Sequence, residues 1–199
     1  MDTLKRFQQE CIAFFDGLSD GGKAPLVFGD GLSSCPVLML IGEAPGEQET
    51  LQGKPFVGKA GQNLTAFLET VGLERAQLYV SNVVKIRPTK ISPAGRIVNR
   101  PPSREEKALH TPWLMREIAL VRPAALVTLG NVALQAFVQD TVGNCHGKWM
   151  RAVVSPTDGE AFTLPLYPLY HPASVIYNRS LSQVYQQDLE TLRDSLAAD

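Results

Sequence analysis

The sequence has few cysteines and no long apolar segment. Its three cysteines, Cys11, Cys35 and Cys145, lie far apart and form no Cys-x-x-Cys pair, so neither a disulfide framework nor a thiolate-only metal site is expected. No apolar run approaches the roughly 18 residues that a membrane-spanning helix needs. The first ten residues are too polar to contain the apolar centre of a secretory signal. We therefore expect a soluble protein of the cytoplasm.

An excess of charge of either sign is also missing. The 199 residues include 19 Lys and Arg against 20 Asp and Glu, a formal net charge of −1, so the chain as a whole has no field that attracts a polyanion. Residues 82–104 are the exception, because they contain basic residues and no Asp or Glu. These basic residues are Lys85, Arg87, Lys90, Arg96, Arg100 and Arg104. The segment predicts a local anion-binding patch, with a solvated loop as the alternative.

The composition is otherwise that of a globular protein. With 44% hydrophobic residues the chain can bury a sizeable core, and we expect a single domain over residues 1–199. The predicted strands cover residues 36–41, 78–84, 125–129 and 163–168. The predicted helices cover residues 4–15, 64–71, 104–121, 131–138 and 181–196. Strands that alternate with helices predict an α/β fold, a three-layer α/β/α sandwich around a short, mostly parallel central sheet.

Four distinctive segments lie at or just after the ends of the predicted strands. They are Gly42-Glu-Ala-Pro-Gly46, Asn82, Gly130-Asn131 and Tyr170-His171-Pro172. In a parallel sheet covered by helices, ligands bind outside the carboxyl ends of the strands. We therefore expect these segments to converge on one cleft.

The same region predicts no ordinary nucleotide site. Residues 53–60 have the spacing of a phosphate-binding loop, but Ala60 stands where a Ser or Thr hydroxyl must reach magnesium. No Gly-x-Gly-x-x-Gly separates the first strand from its helix, which argues against a dinucleotide site.

Taken together, these segments resemble the uracil-DNA glycosylase superfamily, and within it the iron-sulfur branch called family four. The resemblance extends from about Phe28 to the C-terminus and depends on four segments in order. They are Gly42-Glu-Ala-Pro-Gly46, Gly53-Lys-Pro-Phe-Val-Gly58-Lys-Ala-Gly61, Asn82-Val-Val-Lys85 and His171-Pro-Ala-Ser174. It implies a uracil-DNA glycosylase-like fold and an enzyme that flips uracil out of DNA and hydrolyses its bond to the sugar in base excision repair. No lysine suited to a lyase step is evident, so we expect a monofunctional enzyme that leaves an abasic site.

The resemblance implies a base pocket. Phe56 is the platform for the flipped base, and Asn82 reads the uracil edge through the donor and acceptor of its amide. Gly42 and Ala44 are implied to line the same pocket. The alternatives are that Phe56 is a core residue and that Asn82 only closes a turn.

His171 and Glu43 are the implied catalytic residues. His171 donates a hydrogen bond to uracil O2, where negative charge accumulates as the glycosidic bond breaks. Glu43 orients the attacking water or stabilises positive charge on the sugar. The alternatives are a structural histidine and a carboxylate that orders its own turn by accepting backbone N–H bonds.

The resemblance also implies contacts to DNA outside the pocket. Residues 173–179 correspond to a wedge loop, in which Ile176, Tyr177 and Arg179 are the candidates to fill the gap left by the base. We expect the basic residues 85–104 to form a loop that tracks the DNA backbone. The predicted DNA-binding residues are Lys59, Lys85, Arg87, Arg96, Arg100, Ser174 and Arg179.

The chain departs from family four at the iron-sulfur cluster. That family carries four cysteines for a 4Fe–4S cluster, whereas Ile86 and His110 stand at two of these positions and no Cys-x-x-Cys occurs near Phe15. We therefore expect no cluster, no other metal and no cofactor. The pair Cys145-His146 has no spacing typical of zinc.

Two other functions are compatible with the sequence. A glycosylase of the same fold can take hypoxanthine or xanthine, since these bases also display carbonyl groups. A catalytically silent nucleic-acid-binding module would keep the fold and the basic patch. The expected partner is DNA that contains uracil or another deaminated base, with no membrane involved, and the protein is expected to be a monomer associated with the nucleoid.

Overall fold

The computed structural model describes residues 3–18, 24–178 and 180–198. The strands are β1 (Asp30–Gly31), β2 (Leu38–Gly42), β3 (Leu78–Asn82), β4 (Thr89–Ile91), β5 (Ile97–Asn99), β6 (Ala125–Leu129), β7 (Met150–Val154) and β8 (Phe162–Leu169). The helices are α1 (Thr3–Leu18), α2 (Glu47–Gln52), α3 (Lys59–Val71), α4 (Arg104–Val121), α5 (Asn131–Leu134), α6 (Val142–Cys145), α7 (Pro172–Tyr177) and α8 (Ser180–Ala197). A 3₁₀ turn covers Arg75–Gln77.

A six-stranded sheet in the order β1-β3-β2-β6-β8-β7 forms the centre of the molecule. The four inner strands β3, β2, β6 and β8 are parallel, and β1 and β7 pair antiparallel at the two edges. The register places Gly42 beside Asn82 and Leu129 beside Leu169. The carboxyl ends of the inner strands therefore meet at one edge of the sheet, where ligands bind in folds of this class.

Side chains of the inner strands alternate between two apolar cores. Leu38 and Leu40 of β2 pack in one core with α3 and α8. Met39 and Ile41 pack in the other with α4 and α5. The predicted three-layer α/β/α fold is confirmed, and a strand buried on both faces explains why this segment reads as a continuous apolar run. No helix among the described residues is long and apolar enough to cross a membrane.

Helix boundaries follow capping residues. The Ser103 hydroxyl accepts a hydrogen bond from the Glu106 N–H at 3.1 Å, and the Glu106 carboxylate accepts one from the Ser103 N–H at 2.7 Å, which starts α4 as predicted. The predicted helix 131–138 is too long, because α5 ends at Leu134. The N–H groups of Ala136 and Phe137 bond only three residues back, at 3.3 and 3.0 Å, which tightens the chain into turns.

The basic segment is a hairpin and not the predicted loop. Strands β4 and β5 pair antiparallel from Thr89 opposite Asn99 to Ile91 opposite Ile97. Gly95 lies in the connecting turn with a φ of 73°, a conformation that favours glycine. A turn glycine between two short segments that carry β-branched residues was the available sequence signal. The edge strands β1 and β7 were not predicted either.

Lys85 lies in the core and not on the surface. Its ammonium donates to Glu117 Oε2 at 2.6 Å, to Ser81 Oγ at 2.7 Å and to the Asn82 carbonyl at 2.8 Å. Both side chains of the Lys85–Glu117 ion pair are 0% exposed, and Glu117 also accepts a bond from the Tyr79 hydroxyl at 3.0 Å. The predicted DNA contact of Lys85 is wrong, because a fully buried ammonium cannot reach a phosphate outside the protein.

Replacing Lys85 by methionine tests the role of this network. Lys85→Met leaves Glu117 as a buried carboxylate without its cation, and we expect the free energy of unfolding to fall by about 3–5 kcal/mol. Urea denaturation followed by tryptophan fluorescence measures the loss. Lys148→Met removes an exposed lysine and is the matched control, which we expect to leave the midpoint unchanged. An equal effect of both substitutions would contradict the structural role of Lys85.

Candidate active site

Two neighbouring pockets open at the carboxyl edge of the sheet. The first has a volume of about 540 Å³, and its lining includes Phe56, Asn82 and His171. The second has a volume of about 560 Å³, and its lining includes Glu43. Ala44 and His171 border both pockets. The segments predicted to meet in one cleft meet at this edge but are divided between the two pockets, with Asn82 in the first and Gly130-Asn131 in the second. The first pocket has the size of a site for a small ligand.

Phe56 combines an uncommon backbone conformation with a place in the pocket wall. Its φ is 56°, a region that residues with a β-carbon rarely adopt. A β-carbon on Gly61 would meet the Phe56 carbonyl, and one on Gly42 would lie 2.7 Å from the phenyl Cζ. The ring packs in the core beside α3 and also lines the first pocket. Such strain persists only where the surroundings fix the residue.

Glu49, which was not predicted as a site residue, holds this loop. Its carboxylate, 7% exposed, accepts hydrogen bonds from the N–H groups of Val57 and Gly58 at 3.1 and 2.8 Å. It also accepts one from the Gly46 N–H at 3.2 Å. The carboxylate therefore joins the first two glycine-rich segments. An acidic residue three positions after a helix-starting glycine is the sequence signal that points to it.

Asn82 is fixed at the end of β3 beside the end of β2. Asn82 is 3% exposed, and a β-carbon on Gly42 would collide with the Asn82 Oδ1. The Asn82 carbonyl accepts the hydrogen bond from Lys85, and the N–H of the next residue, Val83, bonds to the Gly42 carbonyl at 3.0 Å. Only glycine at position 42 lets the amide lie this close. The held amide offers one donor group and one acceptor group to a ligand.

His171 is the N-terminal cap of α7. Its Nδ1 accepts a hydrogen bond from the Ala173 N–H at 3.2 Å, and burial lowers the pKa of the ring. A neutral imidazole whose Nδ1 accepts a bond carries its proton on Nε2. Gly130 has a φ of 85° and packs against the His171 side chain, because a β-carbon at position 130 would lie 3.1 Å from His171 Cβ. His171 thus provides one N–H donor at the border of the two pockets.

Glu43 lies in the second pocket, next to the first. Burial raises the pKa of its carboxyl, against the opposing effect of the positive charge on Lys107. The Glu43 carbonyl accepts a hydrogen bond from the Val84 N–H at 3.1 Å, which fixes the backbone beside β3. A carboxyl group with a raised pKa in a cleft is suited to general base catalysis.

Arg87 and Ser174 line the pockets, and Arg96 lies on the hairpin next to the pocket residue Ile97. Arg87 lines the first pocket and donates to Asn99 Oδ1 at 2.7 Å and to Glu47 Oε1 at 3.3 Å. Arg96 is exposed on the hairpin, and Ser174 is exposed and lines the second pocket. Their contacts with DNA stay predictions.

Arg100 anchors the hairpin, and its predicted contact with DNA stays a prediction. Its guanidinium donates to both carboxylate oxygens of Glu106, at 2.6 and 2.7 Å. It also donates to the carbonyls of Thr89 and Pro101, both at 3.0 Å. These bonds engage the guanidinium within the protein and tie β4 to the start of α4.

Some predicted DNA contacts lie outside the described part of the structure. Arg179 lies outside the described residues, as do the side chains of Lys59, Ile176 and Tyr177. The wedge predicted for residues 173–179 stays a prediction.

Ile86 and His110, the two positions where the resemblance implies cluster cysteines, carry packed side chains. His110 stacks on Phe15 with 4.2 Å between the ring centroids and 12° between the planes. Burial, together with the charge of Lys85, lowers the pKa of His110 to about 4. Ile86 packs against the core beside α4. Within the described ranges, no group of three or more His, Cys, Asp or Glu is placed to hold a metal ion. These residues do not fit a 4Fe–4S cluster, and its absence from the protein stays a prediction.

Comparison with known proteins gives a consistent set of relatives. The family model of the Uracil DNA glycosylase superfamily matches residues 31–193. A type-4 uracil-DNA glycosylase of Sulfurisphaera tokodaii is 31% identical over 202 residues, which cover 98% of this chain and 85% of that protein. The type-4 enzyme of Saccharolobus solfataricus is 32% identical over 177 residues, 85% of this chain and 76% of the relative. That of Pyrobaculum aerophilum is 34% identical over 158 residues, 76% and 74% of the two chains.

The packed stack at His110 predicts a fold that is stable without iron. We expect elemental analysis to find no stoichiometric iron, and a chelator to leave the melting temperature unchanged. His110→Ala removes one stacked ring from the core, and we expect it to lower the free energy of unfolding by about 2 kcal/mol. Stoichiometric iron in protein purified without oxygen, or melting at lower temperature after chelation, would contradict this reading of the site.

Proposed function

This chain belongs to the uracil-DNA glycosylase superfamily, and we propose that it removes uracil from DNA by hydrolysing the N-glycosidic bond, which leaves an abasic site for base excision repair. The observation that carries the proposal is that Phe56, Asn82 and His171 line one pocket at the carboxyl edge of the sheet. Flipping a base out of a duplex costs a few kcal/mol. Stacking and hydrogen bonding in this pocket offset that cost.

Recognition of uracil uses the ring of Phe56 and the amide of Asn82. The base stacks on the phenyl ring, while the amide donates to uracil O4 and accepts from N3–H. Cytosine reverses this donor and acceptor pattern and is rejected. Gly42 leaves room for the Asn82 amide, because a β-carbon there would collide with it. Ala44 lines the pocket beside the base.

Bond cleavage uses His171 on the base and Glu43 on the water. As the C1′–N1 bond breaks, its electron pair passes to uracil, and the Nε2–H of His171 donates to the O2 atom that gains negative charge. The water oxygen attacks C1′, and its proton passes to the Glu43 carboxylate. The second pocket, which Glu43 and His171 share, is the place for this water.

DNA lies across both pockets in this proposal. Arg87 at the first pocket, Arg96 on the hairpin and Ser174 at the second pocket contact the phosphate backbone. Lys59 and Arg179 are proposed as further phosphate contacts from the sequence alone. The enzyme acts in the cytoplasm on the DNA of the nucleoid. It acts as a monomer, and sedimentation with and without an oligonucleotide tests this oligomeric state.

Single-turnover cleavage of labelled oligonucleotides tests the function. Each oligonucleotide carries one uracil, hypoxanthine or xanthine, in single-stranded or duplex form, and alkali cleaves any abasic site. We expect uracil release by the natural protein and a rate loss of about 10²-fold or more in Asn82→Ala and in His171→Ala, because each removes a hydrogen bond to the base. Gln9→Ala removes an exposed amide and is the control.

The outcomes of this assay separate the alternatives. Release of only hypoxanthine or xanthine would show a glycosylase of different specificity. Binding of DNA without release of any base would contradict the enzymatic function and indicate a binding module.

The pH dependence of the rate tests the role of Glu43. The carboxylate form accepts the proton from water, so the rate should rise with pH as Glu43 loses its proton. Because burial raises this pKa, the rise should lie at a higher pH than the titration of an exposed glutamate. Glu43→Gln should lower the rate and abolish the rise. The same pH profile in Glu43→Gln as in the natural protein would show that Glu43 is not the base.

A further inference from the structure

Two large apolar side chains are exposed on the β4–β5 hairpin. Ile91 is 76% exposed and Ile97 is 66% exposed. They are direct partners in the antiparallel register, so their side chains lie next to each other on one face of the ribbon. Neither isoleucine contributes to the two apolar cores described above. An exposed apolar pair of this kind marks a contact site more often than a single exposed residue does.

This pair is continuous with the rim of the first pocket. Ile97, Val98 and Asn99 of β5 line that pocket, and Ile91 lies across the ladder from Ile97. Neighbouring strands are about 4.8 Å apart, so the apolar surface extends by about one strand spacing beyond the rim. A planar base is large enough to cover both side chains.

The hairpin is held rigidly relative to the pocket. An isolated two-stranded hairpin is marginally stable in water, and here side chains at its base fix it. Arg100 bonds to the Thr89 carbonyl of β4 and to Glu106 of α4. Arg87 bonds to Asn99 of β5. The pair is therefore presented at a fixed position, as a binding surface requires.

The charge around the pair favours a polyanion as its partner. Residues 82–104 contain no Asp or Glu, and the exposed Lys90 and Arg96 belong to the hairpin itself. Alternation along the strands places the side chains of Lys90 and Arg96 on the face opposite the isoleucine pair. Arg87 bonds to Asn99, which shares the face of Ile97, and it lines the first pocket. An apolar pair beside this cation suits a single strand of nucleic acid, whose base meets the isoleucines while a phosphate meets the guanidinium.

We propose that Ile91 and Ile97 form a subsite for the nucleobase adjacent to the target uracil on the same DNA strand. This inference depends on the proposed function for the identity of the base in the first pocket. The neighbouring base leaves the pocket mouth towards the hairpin and covers the isoleucine pair, and Arg87 binds the phosphate between this base and the uracil.

A binding cycle between protein and DNA tests the subsite. The probe is a labelled single-stranded oligonucleotide with a 2′-fluoro-substituted deoxyuridine, which binds but resists hydrolysis. The base on its 5′ or 3′ side is either present or replaced by a tetrahydrofuran abasic residue. Fluorescence anisotropy gives Kd for the natural protein and for the double variant Ile91→Ser with Ile97→Ser.

We expect removal of the base on one side to weaken binding to the natural protein by about tenfold, the scale of a partly buried apolar contact. The double variant should bind the intact probe about tenfold more weakly and lose nothing further when that base is removed. Val153→Ser replaces an isoleucine-like side chain, 54% exposed on β7, and should behave as the natural protein does.

Additive losses, or equal affinities for all four combinations, would overturn the subsite. Dissociation of a dimer by the double substitution, with additive losses, would assign the pair to self-association and would also overturn it. If uracil is released and the losses in affinity are additive, the subsite is refuted and the proposed function is supported. Coupled losses without any uracil release would refute the proposed function and keep a base-binding subsite on the hairpin.

Discussion

Lys85 and Glu117 bury two opposite charges between β3 and α4, 2.6 Å apart and without exposure to water. Each of these charges, buried without a partner, would destabilise the fold by several kcal/mol. Packing arrangements that separate Lys85 from Glu117 are therefore strongly disfavoured. The same ammonium bonds to the Asn82 carbonyl. Through this bond the position of α4 against the sheet is coupled to the backbone of Asn82, which lines the first pocket. The core and the pocket are therefore parts of one arrangement, and a shift in either disturbs both.

A second constraint comes from close approach of the backbone. The end of β2 must pass between the Phe56 ring and the Asn82 amide, and only glycine at position 42 fits there. Glu49 then ties the segments before and after Phe56 with hydrogen bonds to backbone N–H groups. The pocket walls are fixed before a ligand arrives, so that little conformational entropy is lost on binding. This explains why the site tolerates a phenylalanine with a positive φ.

Local signals in the sequence were sufficient for the central strands and for the four long helices α1, α3, α4 and α8, whereas the short helices α2, α6 and α7 were not predicted. Buried strands such as β6 read as apolar runs, and Ser103 marks the start of α4, because both signals come from near neighbours along the chain. The burial of Lys85 was not predictable in this way, since its partner lies 32 positions further on. Its position within a basic segment suggested exposure. The hairpin was missed for a similar reason, because its strands are stabilised by Arg100 and by other side chains beyond the turn.

In His171, the hydrogen bond accepted by Nδ1 favours the protonation state in which the ring proton is on Nε2. An imidazolium would be the stronger donor to a base that gains negative charge, yet protonation of Nδ1 would remove the acceptor for the Ala173 N–H. Protonation of Nδ1 therefore changes both the charge of the ring and the capping of the first turn of α7. Acidification cannot strengthen the donor without uncapping the helix that carries Ser174 to the second pocket. Burial and this hydrogen bond therefore both favour the uncharged ring, which is the weaker hydrogen-bond donor.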